Sequence, residues 1–312
     1  MRCLTRFAAA LGLLLCNSLC HGQDDMTAGI AAPGDYRYTI RHGGLDRMVR
    51  VHVPKGFDAA KPQTLIVALH GGGGSMDYQA DDANYGLISL SERQGVVLVF
   101  PNGFSRLRRG TLATWNAGTC CGTARDRDVD DVGFIRQVVA NLQQQMVVDR
   151  SRIFATGMSN GAMMAYRLAC EASDVFSAIA AVAGTDNTRR CAPARPVSVL
   201  HIHARNDPMV PFDGGFSSNT RLRAATSEFS SVSDTMARWA RHDACSATPQ
   251  TVLAVPGARC EAYPSCGSGA QVKLCVTETG GHSWPGGQKA RGEAPSQAVS
   301  ANALMWEFFN RP

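Results

Sequence analysis

The 312-residue sequence has no block of like charges, no internal repeat, no Pro/Ser-rich linker and no CxxC pair. Each absence excludes something. A formal net charge of only +5, spread along the chain, leaves no electrostatic footprint for a nucleic-acid partner. The lack of a repeat or linker argues against an array or a second domain. Without CxxC spacing, and with His201 and His203 two apart in an apolar run where packed core histidines are expected, a zinc site has no framework. The most apolar stretch, Phe7 to Cys16, is too short to span a bilayer.

That stretch follows Arg2 and Arg6 and precedes a short polar segment ending in small residues, the layout of a secretory signal peptide. The expected leader is residues 1–22, cleaved near Gly22, with a lipid anchor on Cys16 or Cys20 as the weaker alternative. Residues 23–312 are then one domain, secreted to the periplasm or the medium without stable membrane association. Removing the leader takes two positive charges and three of the 11 cysteines, leaving an even set: Cys120, Cys121, Cys170, Cys191, Cys245, Cys260, Cys266 and Cys275. In an exported chain such a set predicts disulfides. Neighbourhood in the coarse fold favours Cys170 with Cys191 and two bridges among the last four. Cys120 and Cys121 remain as a strained vicinal pair or as partners of another group. The cluster Arg106, Arg108, Arg109 reads as a solvated loop, with contact to an acidic polymer as its rival.

Short β-rich runs alternate with helical patterns. The runs cover 36–40, 48–53, 64–70, 96–100, 152–156, 176–184, 197–203 and 270–278. The first two alternate in polarity, as an antiparallel edge does, and the middle ones are continuously apolar, as buried parallel strands are. Between them, Asp131 is positioned to cap a helix whose Phe134, Ile135, Val138, Val139, Leu142 and Met146 form one stripe; others start after Ser159, near Ser233 and before Leu304. The expected class is α/β: a mostly parallel eight-stranded sheet with helices on both faces. Residues 101–131 form a long excursion, whose cysteines argue for order. The dozen residues between Gly184 and Val197 leave no room for a large lid.

The stretch "IFATGMSNGAMMAYRLA", 153–169, places Ser159 between Gly157 and Gly161 at a strand-to-helix turn. Such a turn exposes a nucleophile and crowds its neighbours, which residues without a Cβ relieve. A carboxylate and a histidine are then required in that chain order. Asp207 follows a buried strand, with Asp213 as competitor, and His282 sits in a Gly-flanked loop after the last one. The other histidines are poorer bases: His42 and His52 lie in the edge strands, His201 and His203 within a strand, His242 at a helix end, and His70 opens "HGGGG" and is suited to shaping it. That glycine run lets the main chain approach a substrate carbonyl, so the expected oxyanion donors are the N–H groups of Asn160 and of Gly71 or Gly72. No Lys-Ser/Thr follows the glycines, which excludes a phosphate-cradling loop.

"LHGGGGS", "FPNG", "TW" with "CCG", "VDDVGFI", "TGMSNGAMMAYRLAC", "HIHARNDPMVPF" and "GGHSWPGG" together resemble the exported polyhydroxybutyrate depolymerase and feruloyl esterase group of the α/β-hydrolase superfamily. The resemblance implies Ser159 as nucleophile, Asp207 as triad acid and His282 as base. Ala204, Arg205 and Asn206 stand where that group commonly has Gly-Thr, which bears on the turn around Asp207. The expectation is a serine carboxylic-ester hydrolase without cofactor or metal. Its substrate is a feruloyl-type or short-chain ester of a plant polysaccharide or oligomer, or alternatively a polyester. Trp115 and Trp284 are candidates to line the substrate pocket. A serine peptidase and a silent binding protein are the readings from other classes.

Overall fold

The computed structural model of the chain describes residues 29–218, 228–288 and 293–310; the expected leader, 1–22, lies outside them. Ten strands form one sheet: β1 (Gly34–His42), β2 (Leu45–Val53), β3 (Gln63–Leu69), β4 (Val97–Pro101), β5 (Val148–Met158), β6 (Ala178–Val182), β7 (Ser198–Ala204), β8 (Gln250–Val255), β9 (Ala258–Tyr263) and β10 (Val272–Thr277). Their order is β1-β2-β4-β3-β5-β6-β7-β10-β9-β8. The six strands from β4 to β10 in that order run parallel, β1 and β2 form the antiparallel edge, and β9 and β8 an antiparallel hairpin at the other. The expected eight strands are therefore corrected to ten. The two extra ones escaped the apolar-run criterion because β8 is exposed along almost its whole length, so nothing selects for an apolar pattern. Their turn was readable: Pro256 and Gly257 join them, and Gly257 takes φ +80°, as the third position of a Pro-Gly turn requires.

The described helices are α1 (Met76–Gln79), α2 (Asp82–Tyr85), α3 (Leu87–Gln94), α4 (Gly122–Asp126), α5 (Asp131–Gln145), α6 (Asn160–Glu171), α7 (Val232–His242) and α8 (Ala301–Phe309). Central strands are buried on both faces, so each sends alternate side chains into two cores. Ile153 and Ala155 of β5 join Phe134, Tyr166 and Trp239 under α5, α6 and α7. Phe154 turns to the α3 and α8 side, where it stacks on Phe309 with ring centroids 4.3 Å apart. Truncating one of these buried aromatics costs about 3–5 kcal/mol through lost transfer energy and the cavity left behind.

One helix start differs from expectation. The cap of α5 is Asp130, whose Oδ1 accepts from the Gly133 N–H at 2.9 Å. Asp131 points inward instead, accepting from Arg47 at 2.6 Å and from the Asn116 N–H at 2.8 Å. Burial pushes its carboxyl above the ordinary range, with Arg47 and the Asn116 N–H opposing. This pair pins the excursion to the sheet, which is further ordered by α4, by bridges between Phe104 and Thr114 and between Gly74 and Ala113, and by a Cys120–Cys121 disulfide. Cys170–Cys191, Cys245–Cys266 and Cys260–Cys275 complete the set of bridges. No element is inserted between β6 and β7.

Candidate active site

The carboxyl ends of β3, β5, β7 and β10 converge on one edge of the sheet, and each delivers one part of the site. β5 ends at Met158 and α6 begins at Asn160, so Ser159 alone makes the turn, at φ 58° and ψ −123°. A non-glycine residue holds such a conformation only where its surroundings over-determine it. Here the Ser159 N–H donates to the Val182 carbonyl at 2.9 Å, and the Ser159 carbonyl accepts from the Met163 N–H at 3.0 Å. The flanking glycines are required by close approach: a Cβ on Gly161 would lie 2.2 Å from the Leu69 carbonyl oxygen, and one on Gly157 would lie 2.5 Å from the Gly161 main chain.

The glycine loop after β3 crosses directly over this turn. A Cβ on Gly71 would meet Ser159 Cβ at 3.5 Å, and one on Gly72 would meet Asn160 Cβ at the same distance. His70 sets the loop's orientation. Burial lowers its pKa to about 4, with Arg47 adding to the effect and the Gly71 carbonyl opposing it, so the ring is neutral at physiological pH. Nε2 accepts from the Gly103 N–H at 2.9 Å, which places the proton on Nδ1 and makes it the donor to the Gly71 carbonyl at 2.8 Å. That carbonyl also accepts from the Gly74 N–H at 3.0 Å. In a trans peptide the next N–H points the opposite way, so the Gly72 N–H is turned away from His70. The Asn160 N–H, in the first turn of α6, has no intrahelical acceptor.

Asp207 and His282 are brought together. His282 Nδ1 lies 2.8 Å from Asp207 Oδ2, while Asp207 Oδ1 accepts from the Met209 and Val210 N–H groups at 2.8 and 3.0 Å. Burial pushes the Asp207 carboxyl up, but the hydrogen bonds from His203 and His282 outweigh it and hold the group well below the usual carboxylate range. The ionised acid accepts a hydrogen bond from His282 Nδ1–H, so a singly protonated ring presents an acceptor at Nε2. Asp213 is exposed.

Three findings differ from, or add to, what the residue pattern predicted. Trp115 is fully buried, its Nε1–H donating to the His70 carbonyl at 2.9 Å and its ring centroid 4.9 Å from that of His70. It supports the glycine loop from beneath and does not line an open pocket, because the excursion folds back over the sheet. Trp284 lines a recess of about 40 Å³ together with Tyr78, Tyr85, Met158 and Ser283, the last two of which adjoin Ser159 and His282 in the chain. Asn206, noted in the sequence only as a departure from a familiar pattern, joins the loops of Asp207 and His282: its Oδ1 accepts from the Gly281 N–H at 3.0 Å and its Nδ2 donates to Glu293 at 2.8 Å. Among the described residues the one cluster with metal-ligand spacing is Cys170, Asp186 and Cys191, and its two sulfurs are bonded to each other.

Residues 57–253 match the phospholipase/carboxylesterase family model. The chain is 30% identical to feruloyl esterase B of Piromyces equi over 243 residues, 76% of this chain and 42% of that one. It is 31% identical to the putative esterase NocK of Nocardia uniformis over 257 residues, 78% of this chain and 72% of that one. A probable feruloyl esterase C of Aspergillus niger is 32% identical over 54% of this chain, which spans 58% of that relative. The fold is shared with an acetyl xylan esterase from Aspergillus awamori, at a TM-score of 0.59 and 14% identity over 88% of this chain and 98% of that one. The chain belongs to the phospholipase/carboxylesterase family, with an α/β-hydrolase fold.

Proposed function

We propose that the protein is a serine carboxylic-ester hydrolase in which Ser159 is the nucleophile, His282 the general base and Asp207 the acid that fixes the imidazole. The observation that carries this reading is the 2.8 Å pairing of His282 Nδ1 with an ionised Asp207, at the same sheet edge where Ser159 is held at φ 58° under a glycine loop. His282 Nε2 takes the Ser159 proton as Oγ bonds to the ester carbon. The negative charge moves to the carbonyl oxygen, which the Asn160 and Gly72 N–H groups receive, Gly71 having turned its carbonyl to His70. Collapse of this intermediate expels the alcohol, which takes the proton from His282. Water then repeats the sequence on the acyl-enzyme. Neither step draws on a metal or cofactor.

The substrate reading is a feruloyl-type or short-chain ester on a polysaccharide or oligomer, supported by the relatives named feruloyl esterase and by the recess containing Trp284, Tyr85 and Met158. Residues 23–312 form a single catalytic domain in this reading, and the four disulfides fit an oxidising compartment, as the leader-like segment 1–22 does.

Ser159→Ala is expected to abolish hydrolysis of a p-nitrophenyl ester while leaving the circular dichroism spectrum intact. A folded variant with undiminished turnover excludes the mechanism. Release of ferulate from its methyl ester, measured beside release of hydroxybutyrate from its oligomers, separates the aromatic-ester reading from a polyester depolymerase.

A further inference from the structure

Behind Asp207 lies a run of buried polar side chains that the mechanism above leaves unused. His201 and His203 are two apart on β7, so they face the same side of the sheet, toward α6 and α7. Both are essentially inaccessible. Burying two imidazoles is unfavourable unless every ring nitrogen is bonded, and here all four are. His203 Nε2 lies 2.9 Å from the Val210 carbonyl and 3.4 Å from Asp207 Oδ2. His203 Nδ1 lies 3.0 Å from His201 Nε2, and His201 Nδ1 lies 2.7 Å from the Tyr166 hydroxyl.

The direction of every bond in this chain is set by its last member. A main-chain carbonyl only accepts, so His203 donates from Nε2, and in a singly protonated ring its Nδ1 is then an acceptor. His201 must then donate from Nε2, which leaves its own Nδ1 as an acceptor, and Tyr166 must donate to it. Neither imidazole can reverse without breaking a buried bond. Burial, reinforced by His203, keeps His201 well below its ordinary pKa and therefore neutral.

We infer that His203, backed by His201 and Tyr166, is a positioning residue for the reaction: its Nε2–H edge, fixed by the Val210 carbonyl, lies 3.4 Å from the same Asp207 oxygen that binds His282. It thereby holds that oxygen in place and disperses part of its charge. The inference rests on the Ser159, His282 and Asp207 assignment. The sign of its effect follows from electrostatics. With the His203 donor present, Asp207 stabilises a protonated His282 less than a bare carboxylate would, which keeps the base deprotonated to lower pH. The other ionisable groups around the chain are Asp186, which accepts from Trp239 Nε1 at 3.1 Å and lies 3.3 Å from Arg238, and His242, whose ring centroid is 5.5 Å from that of Trp239. They belong to α7 and the segment after β6, beyond Tyr166 and Trp239, and none of these contacts reaches His203.

The test compares pH profiles of kcat/KM on p-nitrophenyl acetate for the wild type, His203→Leu and His203→Gln, alongside ¹⁵N-histidine NMR of the wild type. His203→Leu is expected to move the acid limb upward by roughly half a pH unit and to lower kcat roughly 10-fold, with KM unchanged. His203→Gln, whose amide keeps a donor near the Nε2 position, restores the wild-type limb. NMR should give neutral Nε2–H tautomers for His201 and His203 throughout the activity range. A folded His203→Leu enzyme with the wild-type limb and kcat overturns the inference, as does a glutamine variant shifted as far as the leucine one. An Nδ1–H tautomer, or titration of either ring in that range, also overturns it, and this readout decides the matter if His203→Leu does not fold. Failure of the triad itself is separable, because Ser159→Ala would then remain active.

Discussion

The side-chain amide of Asn160 bonds both polar main-chain atoms of Trp115: Oδ1 accepts from its N–H at 2.7 Å, and Nδ2 donates to its carbonyl at 3.1 Å. One residue therefore serves two purposes. Its main-chain N–H is the first of α6, and its side chain ties the long excursion to the turn at Ser159. Asn160→Ala keeps the first and removes the second, leaving the buried Trp115 N–H unpaired and its carbonyl with the Cys121 N–H alone, at 3.0 Å. Denaturant unfolding should register a loss of about 1–3 kcal/mol, with a fall in kcat as Trp115 and the His70 loop relax. Unchanged stability would show that water replaces both bonds without cost.

Asp243 predicts a pH dependence of stability remote from the catalytic residues. Its side chain is inaccessible, Oδ1 accepts from the Val197 N–H at 3.2 Å, and Oδ2 has no hydrogen-bond partner among the described residues. Burial, only partly offset by the Val197 N–H, raises its pKa to about 7. A carboxyl that is more basic when folded than when unfolded favours the folded state less as pH rises. The penalty is absent below the unfolded value near 4, grows through the interval, and is complete above about 7. Asp243→Asn should therefore stabilise the protein at pH 8 by roughly 1–3 kcal/mol and have little effect at pH 4. Thermal melts of both proteins at the two pH values check the sign, and an equal effect at both rejects it.

Reduction should weaken the fold. Cys170–Cys191 and Cys245–Cys266 each bridge a sequence separation of 21 residues, and Cys260–Cys275 one of 15. Closing loops of that length limits the unfolded chain by about 3 kcal/mol each. Dithiothreitol is expected to lower Tm by roughly 10 °C or more. An unchanged Tm, with free thiols detected, would mean that these bridges do not stabilise the folded state.

Much of the site was legible along the chain because its parts obey local rules. A strand-to-helix turn made by one residue needs small neighbours on both sides, and Gly157 and Gly161 mark it. A main chain that approaches a substrate carbonyl needs glycines, and residues 71–74 supply them. Buried parallel strands read as continuous apolar runs, which located β3 to β7 and β10. The β8–β9 hairpin followed no such rule, since an exposed edge strand imposes no apolar pattern. Asp130 and Asp131 show the limit of local reading in another form: either could cap α5, and only the buried Arg47 across the sheet decides which one turns inward.

By itself, then, the sequence determined the order of eight of the ten strands and of the four longest helices, the Ser159, Asp207 and His282 candidates and the even complement of cysteines, because each depends on spacing or backbone demand within a few residues. The tertiary structure alone decided which side chains meet across large separations. It buried Trp115 beneath the glycine loop, set Asn206 between the loops of Asp207 and His282, and aligned Tyr166, His201 and His203 behind Asp207. Trp115 with His70, Tyr166 with His201 and Asn206 with Gly281 are 45, 35 and 75 positions apart, whereas His201, His203 and Asp207 are near neighbours along the chain. Their geometry follows from how the sheet orders its strands, and no local propensity encodes it.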